Sequence, residues 1–289
     1  MVFRGRFAEM KNLMPISKFR SPSEEGVNVR RDLGILKNQR SLHCPALKVS
    51  QKKEGKMVLD GGFAEKKLMP VSEFANPKSE EVVINVRRDL GNGSEVVYMP
   101  RFFTSEKSWE YFRYLDQHIP WTRPTIHVLG KPFLQPREVC YIASKGLKEL
   151  VYSGHTPYAH SWDDYPPLKE ILDEVHKAFP GSHFNSLLMN RYNSGNEYVG
   201  WHADVHKELY GPTPEIASVS FGCERDFFLK KKYQGEAVEE KHCFNLKHGS
   251  LLLMRGNTQR DWLHSVPKRA KAQSARINLT FRRVMQMAS

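Results

Sequence analysis

The sequence predicts an α+β fold, a β-sandwich or jelly roll supported on one side by helices. Three observations lead there. Two early segments of the folded region carry apolar residues at helical spacing. After them the pattern changes to short apolar runs, most of them bounded by Gly, Pro or Asn. Helices first and strands afterwards give an α+β arrangement rather than an alternating α/β one.

Residues 1–94 read differently from the rest. They are rich in Lys, Ser, Glu and Pro and poor in aromatics. They hold an imperfect tandem repeat, FAEMKNLMPISKFRSPSEEGVNVRRDLG at 7–34 and FAEKKLMPVSEFANPKSEEVVINVRRDLG at 63–91. Two copies are too few for a stacked solenoid core, which takes about three. The region reads as a flexible basic tail with an internal duplication. It is either a docking arm or a linker, and the lack of any motif favours the linker.

The folded domain is expected near Glu95 and over 95–289. EVVYMPRFF alternates like an entering strand. Thr104-Ser105 offers an N-cap, and Trp109, Phe112 and Leu115 follow at helical spacing. A second helix opens at Pro166-Pro167, puts Leu168, Ile171, Leu172 and Val175 on one face, and closes at Pro180-Gly181. Strands follow at 184–192, 216–222, 225–230, 242–246, 250–255 and 275–283. Short strands with frequent turns suit a sandwich or jelly roll.

Of the 289 residues 40% are hydrophobic and 26% charged, enough apolar content for a core. No stretch approaches the roughly 18 consecutive apolar residues of a spanning helix, which argues against an integral membrane protein. The basic N-terminus lacks the apolar core of a secretory signal. Cys44, Cys140, Cys223 and Cys243 show no CxxC spacing, against a zinc ribbon. A net charge of +12 fits a polyanionic partner such as nucleic acid, or ordinary solubilising charge.

The chemistry concentrates in the strand-rich part. In His202-Ala203-Asp204, residues two apart on an extended segment point to one side. His264 lies 60 residues after Asp204. Two histidines and a carboxylate make the facial triad of non-haem Fe(II) oxygenases, whose open positions take a 2-oxo acid and O₂. A lone histidine is more often structural, so the next element matters. On a strand, Arg276, Asn278, Thr280 and Arg282 share one face, while Ile277, Leu279 and Phe281 face the core. Such a row of arginines fits dicarboxylate recognition, since guanidinium binds carboxylate bidentately. Asn190 and Tyr192 project together just before the first ligands.

Asn190-Arg191-Tyr192, His202-x-Asp204, SVSFG at 218–222, HGSL at 248–251, His264 and RINLTFR at 276–282 stand in the order found in AlkB-type dioxygenases. Over roughly 95–284 the chain resembles that family. The resemblance implies a double-stranded β-helix (jelly-roll) core, with Fe(II), 2-oxoglutarate and O₂. It implies oxidative removal of alkyl groups from nucleobases. His202, Asp204 and His264 would bind iron, and Arg276 would pair with the distal carboxylate of 2-oxoglutarate. Asn190, Tyr192, Asn278 and Thr280 would line the co-substrate, with Arg282 beside it over the catalytic centre.

A narrower likeness concerns Val128-Leu129-Gly130-Lys131, Pro136-Arg137, Tyr141 and Tyr152-Ser153-Gly154. It resembles the base-flipping segment of a DNA-repair subgroup of the family. Leu129 would be the wedge in the gap left by a flipped base, and Tyr152 would stack on that base. A β-turn at Gly130 with ordinary apolar flanks is the plainer alternative. The chain departs from the subgroup with Leu129 in place of Phe. It also places His206 where family members carry an acid that contacts the damaged base. Lys230-Lys231-Lys232 and Lys268-Arg269-Ala270-Lys271 are phosphate contacts or simply solvated basic turns.

The expected function is therefore oxidative demethylation of 1-methyladenine and 3-methylcytosine. The expected partner is DNA, a duplex with a flipped base. A monomer and a nuclear location go with that reading. The alternatives are an RNA demethylase, a protein hydroxylase of the same cofactor class, and a non-catalytic nucleic-acid-binding module.

Overall fold

A computed structural model describes residues 85–128, 130–232 and 240–287. The first repeat, most of the second and the expected flexible tail up to residue 84 lie outside the described residues, as does Leu129.

In chain order, β1 (Val86–Asp89) pairs antiparallel with β2 (Ser94–Met99), and α1 (Ser105–His118) follows. A hairpin, β3 (Thr125–Val128) and β4 (Lys131–Leu134), precedes β5 (Glu138–Ala143) and the short β6 (Ala159–His160). Then come α2 (Pro166–Ala178), β7 (Ser186–Tyr192), β8 (Val199–His202) and the one-turn α3 (Lys207–Tyr210). The remainder is β9 (Ile216–Gly222), β10 (Arg225–Lys231), β11 (Lys241–Leu246), β12 (Ser250–Gly256), α4 (Thr258–Asp261), β13 (Trp262–Val266) and β14 (Arg276–Arg282). The fold is mostly sheet with few helices.

The large sheet has the order β1-β2-β12-β9-β14-β7-β5-β6, and the small sheet β11-β10-β13-β8. All large-sheet neighbours are antiparallel except β5 and β6. One apolar cluster lies between the two sheets, joining Val96, Ile216 and Leu252 of the large one to Phe227, Leu229 and Trp262 of the small one. A second cluster joins the opposite face of the large sheet to the helices, through Leu187, Val219 and Ile277 on strands and Leu115, Leu168 and Ile171 on α1 and α2. The layers are thus helices, large sheet and small sheet.

Each helix follows from its residues. Thr104 caps α1 by accepting from the Lys107 N–H at 3.3 Å, satisfying an otherwise orphaned donor. Pro166 and Pro167 sit in the first turn of α2, where no intrahelical N–H is needed. Leu168, Ile171 and Val175 are its buried stripe. The buried stripe of α1 is Ser108, Tyr111 and Leu115 rather than one centred on Trp109. Trp109 is 44% exposed and lies against the His248 ring, centroids 4.2 Å apart. A serine in the stripe hid the true face from hydrophobic spacing.

Two further differences concern boundaries. The sheet starts at Val86, upstream of the expected Glu95, because β1 covers the edge of β2. β8 and β13, which carry the candidate metal ligands, are strands of four and five residues that hydrophobic runs did not mark.

The Ser108 position explains Gly249. A Cβ there would stand 2.3 Å from Ser108 Oγ, and its φ is 73°. The backbone itself is engaged, with Gly249 O accepting from Phe103 N at 3.0 Å. Gly249→Ala should therefore lower stability by about 1–3 kcal/mol, from left-handed strain plus the clash with α1. Urea denaturation measures this, and an unchanged midpoint would remove the close approach as a constraint.

Candidate active site

His202 and His264 face each other across β8 and β13 as direct register partners, with ring centroids 4.2 Å apart. His202 Nδ1 lies 2.9 Å from Gly200 O. A carbonyl only accepts, so Nδ1 carries the proton and Nε2 keeps its lone pair. Burial pushes both imidazoles below their ordinary value, His264 most strongly, with the charge of His202 adding to it. Neutral rings are the metal-ligating form.

Asp204 stands beside this pair. Arg282 donates to Asp204 Oδ2 from Nε at 3.1 Å and from Nη2 at 2.8 Å. Burial alone would raise the carboxyl, but the charge and hydrogen bonds of Arg282 hold it well below its usual range. The Asp204 N–H donates to Gln259 Oε1 at 3.0 Å, which ties the loop after β8 to α4. Among the described residues no three His, Cys, Asp or Glu side chains are gathered as a ready metal site. The histidine pair is in place, and the third predicted ligand is turned to Arg282.

β14 supplies the row that its alternation predicts. Arg276 is 1% exposed, and its Nη2 donates to Ser220 Oγ at 2.9 Å. Its Nε and Nη1 are buried without a hydrogen-bond partner among the described residues, and its guanidinium lies over the Tyr192 ring, 5.2 Å from the centroid. Burial pushes this guanidinium down to about 10. Asn278 Nδ2 is already committed, to Ser218 Oγ at 2.8 Å and Val219 O at 3.0 Å, and Asn278 Oδ1 accepts from Thr280 at 3.1 Å. Asn278 and Thr280 therefore brace the sheet, whereas Arg276 has donors to offer. Tyr192 lies opposite Arg276 and Asn190 opposite Asn278 in the β7–β14 register. Asn190 Oδ1 accepts from Arg137 Nε at 2.6 Å. Arg137, expected at the substrate, thus reaches the co-substrate side as well.

The remaining predicted residues are more dispersed. Val128 pairs with Lys131 at the end of the β3–β4 hairpin, and Gly130 has the positive φ of 74° that a tight turn requires. The Ser153 carbonyl accepts from His127 N at 2.8 Å and fastens the 152–155 turn to that hairpin. Tyr152 donates to Gln135 Oε1 at 3.3 Å. Tyr141 is buried, its hydroxyl beside Ser186. His206 is exposed.

Sequence reasoning missed Ser218, Ser220, Gln259 and Tyr210. The two serines were visible as alternate residues of SVSFG, facing the same way as the β14 row. Gln259 gave no signal, being part of a four-residue helix. Tyr210 ends α3, and its ring lies 5.7 Å from the Arg282 guanidinium. Burial pushes its phenol up to about 12, so it stays neutral.

The sequence profile of the 2OG-Fe(II) oxygenase superfamily matches residues 95–282. The chain belongs to that superfamily. It is 57% identical over 237 residues to the DNA oxidative demethylase ALKBH2 of Arabidopsis thaliana, covering 75% of each chain. It is 35% identical over 206 residues to the human DNA oxidative demethylase ALKBH2, covering 69% of this chain and 77% of that one. The human alpha-ketoglutarate-dependent dioxygenase alkB homolog 3 is 35% identical over 198 residues, 66% of each chain.

As a 2OG-Fe(II) oxygenase the protein uses Fe(II), 2-oxoglutarate and O₂. The residues present fit them. Two neutral histidines beside an ionised carboxylate suit a divalent cation. A buried guanidinium with two donors unused, and no acidic partner, among the described residues suits a carboxylate.

That orphaned charge gives a test. Without co-substrate, Arg276→Met should leave the melting temperature unchanged or raise it, because an uncompensated buried charge costs stability. Added 2-oxoglutarate should raise the melting temperature of the parent protein but not of the variant. Equal stabilisation of both would remove Arg276 from the co-substrate site.

Proposed function

We propose that this oxygenase is a DNA oxidative demethylase acting on 1-methyladenine and 3-methylcytosine. The observation that carries the reading is the 57% identity with the Arabidopsis DNA oxidative demethylase over three quarters of both chains. The two packed sheets then correspond to a double-stranded β-helix, with the ligands on the small sheet and the co-substrate row on the large one.

His202, Asp204 and His264 would hold the iron, Asp204 turning its carboxylate from Arg282 toward the two rings. Arg276 would bind the distal carboxylate of 2-oxoglutarate, with Asn190 and Tyr192 beside it. Arg282 orients Asp204 and keeps it ionised. The bound cofactors supply a two-electron oxidation of the N-methyl carbon, 2-oxoglutarate going to succinate and CO₂ and the methyl group leaving as formaldehyde. The chain's own task is to present that carbon and exclude water.

For presentation, the base leaves the duplex and enters beside Tyr141, Tyr152 and Ser153. The hairpin of Val128, Leu129, Gly130 and Lys131 would hold the gap open, with Leu129 as wedge. Arg137 would bridge the co-substrate and base ends, and His206 would meet the strand at the pocket rim. Duplex DNA as partner supports a nuclear location, and a monomer suffices for this geometry.

Purified protein with Fe(II), 2-oxoglutarate and ascorbate should release formaldehyde from a duplex carrying 1-methyladenine and not from its unmodified twin. Succinate without stimulation by the methylated duplex would move the substrate to RNA or protein. His202→Ala or Asp204→Ala should abolish turnover while leaving DNA binding largely intact, and retained turnover in either would sink the iron assignment. Leu129→Ala should reduce activity on duplex but not on single-stranded DNA. An equal loss on both, or none, removes the wedge.

A further inference from the structure

Both proposed lesions carry an exocyclic amine on the ring atom next to the methylated nitrogen. With the methyl carbon aimed at the metal, the amine lies close by. The group that reads it must therefore stand beside the metal ligands. His206 is exposed, and among the described residues no side-chain contact ties it to Asp204 or Arg282.

Tyr210 does occupy such a place. Its ring lies 5.7 Å from the Arg282 guanidinium, which in turn grips Asp204. One apolar cluster of Tyr141, Leu150, Leu209 and Val284 gathers Tyr152 and Tyr210 around it, so three tyrosines surround this end of the site. Their hydroxyls differ in availability. Tyr152 donates to Gln135, and Tyr141 is buried beside Ser186. The Tyr210 hydroxyl takes no hydrogen bond among the described residues. The backbone around it is fixed. Leu209 O accepts from Met285 N at 2.8 Å and Glu208 O from Lys148 Nζ at 2.9 Å, which binds α3 to the chain after β14 and to the loop after β5.

We infer that Tyr210 is a specificity-determining residue whose hydroxyl accepts a hydrogen bond from the exocyclic amine of the flipped base. This rests on the demethylase reading above and assigns to Tyr210 the role that the family resemblance implies for His206. A phenol oxygen accepts from an amine without adding charge beside Asp204. A site built to bond one polar edge discriminates against a base that lacks it, because its own group is then left unpaired.

The test compares Tyr210→Phe, Tyr210→Ala and His206→Ala on single-lesion duplexes of 3-methylcytosine and 3-methylthymine. These lesions share ring size and methyl position, and the second has a carbonyl where the first has the amine. Tyr210→Phe should lower kcat/KM on 3-methylcytosine about tenfold, the weight of one hydrogen bond. On 3-methylthymine the loss should be smaller, so the ratio between the lesions falls. Melting temperature and 2-oxoglutarate affinity, read by thermal shift, should stay at the parent values. Full activity in Tyr210→Phe with loss only in Tyr210→Ala would mean that the ring packs and the hydroxyl reads nothing, overturning the inference. So would an unchanged ratio in Tyr210→Phe with a changed one in His206→Ala. A parent protein inactive on both duplexes overturns the demethylase reading, and the inference falls with it.

Discussion

β14 is buried along its whole length, yet every second residue on it is polar and two of these are arginines. Burying such groups is costly unless each finds a partner. Much of the surrounding architecture meets that demand. β9 contributes Ser218 for Asn278 and Ser220 for Arg276. The loop after β8 contributes Asp204 for Arg282. Two Arg276 donors, Nε and Nη1, have no hydrogen-bond partner among the described residues, although the guanidinium lies over the Tyr192 ring. That leftover capacity sets Arg276 apart from the other polar residues of the strand, which are matched within the sheet or by Asp204.

The two faces of β14 divide the labour. Ile277, Leu279 and Phe281 pack on α1 and α2, in a cluster of buried apolar residues. That face gives rigidity. The other face looks toward the small sheet, where the candidate ligands sit on β8 and β13. His264 lies on β13, flanked by β10 and β8, while His202 lies on β8 at the sheet edge. The two histidines thus join a well-supported strand to a short edge strand, and they gain their mutual position from one register pair.

Much of this was legible in the sequence. The period-two alternation of RINLTFR, the apolar stripe of α2 and the strands β7, β9, β10, β11, β12 and β14 follow from residue order. So does the nearness of His202 to Asp204. What sequence did not reveal was short or mixed. β8 contains a glycine and a histidine in four residues, too little for hydrophobic periodicity. Tyr210 and Gln259 act through contacts with residues distant in the chain, which spacing does not encode. The availability of Arg276 and the saturation of Asn278 also needed coordinates, since both looked alike as polar residues on one strand face.

β1 gives the duplication a different meaning. Its four residues cap the edge of β2, with Arg87 paired to Glu95 and Leu90 buried just beyond. The same six residues, Val-Arg-Arg-Asp-Leu-Gly, occur at 86–91 and again at 29–34. Backbone pairing recognises a strand and its side-chain pattern, not its address along the chain. At 86–91 this hexapeptide is therefore more than a piece of a basic repeat: its alternation sets the register in which β1 closes the edge of the large sheet.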